Sequence, residues 1–185
     1  NLDALTTDDR FFTAGIPIEG TYVWDVGGTT QTITVDTRVI LATNADLAAA
    51  VLARTPSVLD AWLRDQPPAW TTVDEGPGTW SPFDVVGHLI HGEKTDWIPR
   101  TRIILAQGPE PRFEPFDRFA QEEESRGKTP EHLLAEFASL RAGNLKILRG
   151  FGLKAKHLEW RGIHPDFGPV TLAQHLTTWV VHDLD

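Results

Sequence analysis

The chain has 185 residues, with 17 Lys and Arg against 26 Asp and Glu, a net charge of −9 and no cysteine. Its length supports one domain able to bury roughly two thirds of its unfolded surface, and the missing cysteine excludes disulfides, a thiol nucleophile and thiolate metal sites, leaving any metal to imidazole, carboxylate or water. The acidity excludes an electrostatic nucleic-acid binder, whose affinity rests on clustered Lys and Arg, and no apolar stretch approaches the ~20 residues that span a bilayer. The start, Asn1-Leu2-Asp3, has neither a basic n-region nor an apolar h-region, so the expectation is a soluble, cytoplasmic protein. Methionine is absent even at position 1, which reads as a trimmed or edited chain.

Residues 1–43 form a segment apart. Tyr22-Val-Trp-Asp-Val and Thr29 to Ile40, rich in β-branched residues, flank Gly27-Gly28 and read as a β-hairpin. A lone hairpin is marginal in water, so it needs the main domain or a partner chain to pack on. From Asn44, a candidate N-cap, the period becomes helical to about Gln66, with Leu47, Val51, Leu52, Val58, Leu59, Trp62 and Leu63 as the apolar face and Pro56 as a kink or break. After a connector at 67–79, Ser81-Pro82 caps and opens a second helix to about Leu105, bent near Pro99. Residues 108–128 read as a long crossover loop holding one helical turn, with Glu122-Glu123-Glu124 solvated. Thr129-Pro130 opens a third helix to about Arg149, with Leu133, Leu134, Phe137, Leu140, Leu145 and Leu148 inward. Residues 156–170 are turn-rich, with a short strand and bend. Thr171 caps a fourth helix still running at Asp185. Four amphipathic helices and a long crossover imply a four-helix bundle over 44–185.

Seven histidines carry the chemical interest. On the fourth helix the spacing puts Leu172, His175, Trp179 and His182 on one stripe. On the second, Val85, His88 and Gly92 share a face with His91 close by. Side chains projecting inward from separate helices can converge on a metal. A histidine beside an apolar stripe is as readily a hydrogen-bonded core residue, and spacing leaves both readings open. His132 and His157 read as surface residues, and His164, before Pro165, as part of a turn. Trp62 and Trp97 read as core or cleft lining. Gly27-Gly28 lies in no phosphate-cradling pattern, no Gly-x-Ser-x-Gly elbow occurs, and His88-Leu-Ile-His-Gly-Glu93 lacks the His-Glu-x-x-His order.

Taken together, Trp80-Ser-Pro-Phe-Asp-Val-Val-Gly-His88-Leu-Ile-His-Gly-Glu93, Phe137-x-x-Leu-Arg141-x-x-Asn144-Leu, and Gly162-Ile-His-Pro-Asp-Phe-Gly168-x-Val-Thr171-Leu with His182-Asp-Leu-Asp185 resemble the DinB/YfiT-like superfamily over about 45–185. The resemblance implies an all-α, DinB-like four-helix bundle, here with an N-terminal β-hairpin extension. It also implies a divalent metal, zinc or nickel, on three histidines: His88, His182 and a third four positions beyond His182, past Asp185. Three neutral imidazoles leave open positions for water or substrate. Some relatives hold a low-molecular-weight thiol on the metal, which such a site would deprotonate. His175 is the candidate to support or replace a ligand, Glu93 to orient a ligand or act as general base, and Trp97 and Arg100 to line the substrate pocket.

The expected function is therefore a divalent-metal-dependent enzyme, a thiol-dependent transferase or a hydrolase, acting on a small molecule. The alternative is a non-catalytic bundle that binds a small apolar ligand or a protein partner. A third arrangement is a homodimer in which the hairpin pairs with its neighbour.

Overall fold

The computed structural model describes residues 19–26, 29–36 and 45–183, with side chains from Ala49 onward. Strands β1 (Glu19–Val26) and β2 (Thr29–Asp36) pair antiparallel, Glu19 opposite Asp36 and Val26 opposite Thr29. The expected cap Asn44 and the side chain of Leu47 lie outside the described residues.

Helix α1 (Ala45–Leu63) runs through Pro56 without dividing. Proline removes the N–H that would bond the carbonyl four residues back, Leu52. That carbonyl instead accepts a hydrogen bond from Arg141 Nη1 at 2.8 Å. A distant side chain thus satisfies the gap. The apolar face is narrower than its pattern: Leu52 is buried, while Trp62 is 69% exposed and Val58 also faces solvent. The expectation of Trp62 as core is corrected here, because the packed stripe of α1 follows Leu52, Leu59 and Leu63 towards the core clusters.

The second predicted helix is two. Ser81 caps α2 (Pro82–Thr95) in a reciprocal capping box with Asp84, then the chain turns at Asp96 into α3 (Trp97–Ala106). The break precedes Pro99 by three residues for a steric reason. A proline ring clashes with the carbonyl four positions earlier, here that of Thr95, so α2 stops there. The crossover holds a short helix, α4 (Ala120–Ser125). Among the described residues the longest helix is α5 (Pro130–Gly150), capped by Thr129 and burying Leu133, Leu134, Phe137 and Leu145. The last, α6 (Leu172–His182), starts in a capping box of Thr171 and Gln174. Single helical turns cover Pro68–Thr71 and Ala155–Leu158.

Helix α5 packs against α1 and α2, and α6 against α1 and α3. One core cluster gathers Leu52, Trp97, Ile104, Phe113, Leu145, Leu172 and Trp179; a second gathers Val86, Ile90, Leu133 and Phe137. The hairpin that joins this bundle is the C-terminal one: β3 (Arg161–His164) pairs antiparallel with β4 (Gly168–Thr171) just before α6. A lone N-terminal extension is thus not the whole β content, because the turn-rich 156–170 segment closes into a hairpin of its own. Its outer edge is covered too. Phe113 donates to the Ile163 carbonyl at 2.9 Å and Ile163 to the Pro111 carbonyl at 2.7 Å, so the crossover adds a short parallel rung. Among the described residues, no helix is long and apolar enough to cross a membrane.

Candidate metal centre

Two of the sequence-predicted ligands meet. His88, in the middle of α2, and His182, at the end of α6, bring their Nε2 atoms to 3.2 Å although 94 residues separate them. Two nitrogens at ~2.0–2.1 Å from a tetrahedral zinc are about 3.3 Å apart. The observed separation therefore fits two neighbouring ligand positions on one ion. Among the described residues no group of three or more His, Cys, Asp or Glu side chains is placed to hold a metal. The third ligand expected beyond His182 lies outside the described residues.

The protonation state suits ligation. Burial, then the positive charge of His182, Arg118 and His91, pushes the His88 pKa down to about 4, so at neutral pH the ring offers a lone pair rather than a cation. Its Nδ1 is buried with no hydrogen-bond partner among the described residues. Metal-bound histidines usually fix that nitrogen on an oxygen. Here packing orients the ring instead: Trp80 lies at 4.7 Å between centroids and Phe116 at 5.4 Å, edge-on. On the other side Trp97 meets His182 in a T-shaped contact, 5.5 Å between centroids, and stacks on Trp179 at 5.7 Å.

His175 is held elsewhere. Its Nε2 lies 2.9 Å from the Trp97 carbonyl, and since a carbonyl only accepts, that nitrogen carries the proton. Burial lowers its pKa to about 4. The ring is a neutral donor that ties α6 to the start of α3, and its Nε2 is occupied.

Glu93 belongs to a buried polar network. One of its carboxylate oxygens takes hydrogen bonds from Arg141 Nε at 3.0 Å and Trp179 Nε1 at 3.1 Å, while Asn144 donates to the other at 2.9 Å. Burial raises its pKa, against the pull of Arg141. With its side chain sealed from solvent, it is placed to brace the helices. Arg141 also pairs with Asp183, which accepts from Thr55 Oγ1 at 2.6 Å, so α1, α2, α5 and the residue after His182 share one cluster. The guanidinium lies over both Phe137 and Trp179. The spacing of Arg141 and Asn144 gave no hint of this role, since their partners sit on other helices.

Trp97 is buried and forms the inner wall beside His182. Arg100 is buried as well. It pairs with Asp96 at 2.8 Å, donates to the Glu114 carbonyl at 3.2 Å and covers the Phe113 ring at 5.1 Å. Its guanidinium thus fastens the crossover to α3. Glu124, expected in solvent, instead clamps α2: His91 Nδ1 lies 2.9 Å from one oxygen and Lys94 donates to the other at 3.0 Å. Phe116 and Arg118, which the sequence reading passed over as loop residues, stand at the histidine pair through Phe116's contact with His88 and Arg118's position over Trp80, at 5.9 Å. An open groove of about 610 Å³ between α1 and α5, lined by Ala53, Ser57, Ala61, Ala138 and Ala142, contains neither histidine.

The solved structure of YfiT from Bacillus subtilis, described as a probable metal-dependent hydrolase with an unusual four-helix bundle topology, superposes with a TM-score of 0.65 at 23% identity, over 77% of this chain and 81% of that one. No curated protein matches the chain. The sequence model of the DinB superfamily matches residues 51–185, which span α2, the crossover, α5 and α6. The chain belongs to the DinB superfamily.

Proposed function

We propose that this chain is a divalent-metal-dependent enzyme, a hydrolase of a small molecule, with His88 and His182 as metal ligands. The observation that carries the reading is the 3.2 Å approach of the two Nε2 atoms across helices from opposite ends of the bundle sequence. It is supported by the low pKa of His88, by family membership and by the likeness to YfiT, itself described as a probable metal-dependent hydrolase.

A divalent ion there supplies Lewis acidity, enough to make hydroxide or thiolate available near neutral pH. The chain's own residues do the rest. His88 presents neutral imidazole, with the His182 ring facing it. Trp80, Phe116 and Trp97 flank the pair with apolar surface and so strengthen polar interactions within it. Arg141, gripping Asp183 and Glu93, fixes the end of α6 against α2 and so the spacing of the two rings. The same site would serve a thiol-dependent transferase, with zinc or nickel holding the thiol of a low-molecular-weight cofactor. The two are separated by whether turnover needs added thiol.

Metal analysis by mass spectrometry of the purified protein tests the reading. About one zinc or nickel per chain is expected, falling at least tenfold in His88→Ala and in His182→Ala with the fold retained by circular dichroism. Unchanged metal content in both variants would sink the assignment.

A further inference from the structure

Resting on that site, we propose that Arg118 is an anion anchor, and that the substrate is a small organic carboxylate whose apolar body lies against Trp80 and Phe116. The charged groups around the histidine pair are otherwise committed. Arg100 is paired with Asp96, Arg141 with Glu93 and Asp183, and Lys94 with Glu124 and Glu136. Arg118 is exposed and makes no ion pair among the described residues. It is the cation left over where the rings open to solvent.

Its position is built rather than accidental. The guanidinium lies over the Trp80 ring at 5.9 Å, and Trp80 packs on His88 at 4.7 Å between centroids. Stacking on an aromatic face restrains a guanidinium while leaving its N–H edge free to meet a ligand, which a lysine ammonium does not reproduce. The segment that carries it is tethered. Phe113 donates to the Ile163 carbonyl and Ile163 to the Pro111 carbonyl through the parallel rung, and Arg100 holds the Glu114 carbonyl. Phe116, two residues before Arg118, sets its ring edge-on to His88. One loop thereby delivers an apolar surface and a positive charge to the same two-histidine mouth.

The chemistry selects a carboxylate. A single guanidinium fork matches a carboxylate in bidentate fashion and balances its one negative charge, and among the described residues Arg118 is the cation placed over the Trp80 ring beside His88. In a chain of net charge −9, an isolated outward cation is also a local focus for an anion approaching an otherwise repulsive surface.

The test is calorimetric titration of the zinc-loaded full chain with phenylacetate and with its neutral analogue phenylacetamide. The wild-type protein is expected to prefer the acid by about tenfold or more, with the preference shrinking as sodium chloride is raised. Arg118→Ala should lose about tenfold of that preference while its affinity for the amide and its zinc content stay the same; Arg118→Lys should recover only part. Equal binding of acid and amide by the wild type, undetectable binding of the acid at millimolar concentration, or an undiminished preference in Arg118→Ala each overturns the proposal. Zinc content reads the metal assignment independently, so failure of one is not failure of the other.

Discussion

At the scale of single residues, environment rather than residue type divides the histidines. His175 sits six per cent exposed against a backbone carbonyl, with its pKa lowered by burial to about 4. An unfolded histidine titrates near 6.5, so between these values the unfolded chain holds more protons than the native one. Stability from this group is therefore complete above about pH 6.5 and is lost as pH falls towards 4. The full shift corresponds to about 3 kcal/mol. Asp96, raised to about 6 by burial against the pull of Arg100, acts oppositely: its contribution is present at low pH and disappears as pH rises through 6. His175→Gln keeps a donor for the Trp97 carbonyl but removes the titration. Unfolding free energies from urea titrations between pH 7 and 4.5 should fall less steeply in that variant, by about 2 kcal/mol over the range. An identical slope in wild type and variant would mean that the buried ring does not titrate as described.

At the scale of elements, the crossover is held in place by a glycine. A β-carbon built on Gly162 would stand 2.3 Å from Phe113 Cε1 and 3.0 Å from Ile104 Cγ1. Strand β3 can approach the crossover this closely only without a side chain there. Gly162→Ala is expected to cost about 1–3 kcal/mol through overpacking, measured by chemical denaturation. Phe113→Leu, which clears ring atoms from that spot, should make the alanine more tolerable in the double variant. Purely additive losses would show that the two positions do not press on one another. This packing also explains which elements were legible in the sequence. Ser81-Pro82, Thr129-Pro130 and Thr171 announce helix starts because caps are local chemistry, and each accepts the expected backbone hydrogen bond. The hairpin of β3 and β4 was less visible, since four-residue strands carry too few positions to show alternation. The roles of Phe116, Arg118 and Glu124 were hidden for a related reason: a loop has no period, so nothing in its spacing says which side chains face inward.

At the scale of the whole molecule, the bundle is joined by a charged cluster that no periodicity foretells. The side chains of Arg141, Glu93 and Asp183 are almost completely buried and come from α5, α2 and the residue that ends α6. Removing one member strands the others in a low-dielectric interior, so Arg141→Met is expected to cost about 3–5 kcal/mol in urea unfolding. Replacing Glu93 by Gln and Asp183 by Asn in the same chain should restore a substantial part of it. A triple variant no more stable than the single one would count against charge burial as the cause. The sequence did place His88 and His182 together, because inward stripes on two helices and the family resemblance agreed on them. It could not show the partners of Glu93, read as a candidate general base, or of Arg100, read as pocket lining, because those partners are fixed only once helices cross. The separation of the histidine pair along the chain has one more consequence, for biosynthesis. His88 leaves the ribosome first and His182 only after 94 further residues, so the earlier helices can begin to pack while one ring of the pair is still missing. The facing of the two rings is in that sense a late event in the life of each molecule, and on the proposed function the ion would be captured only after most of the bundle has been made.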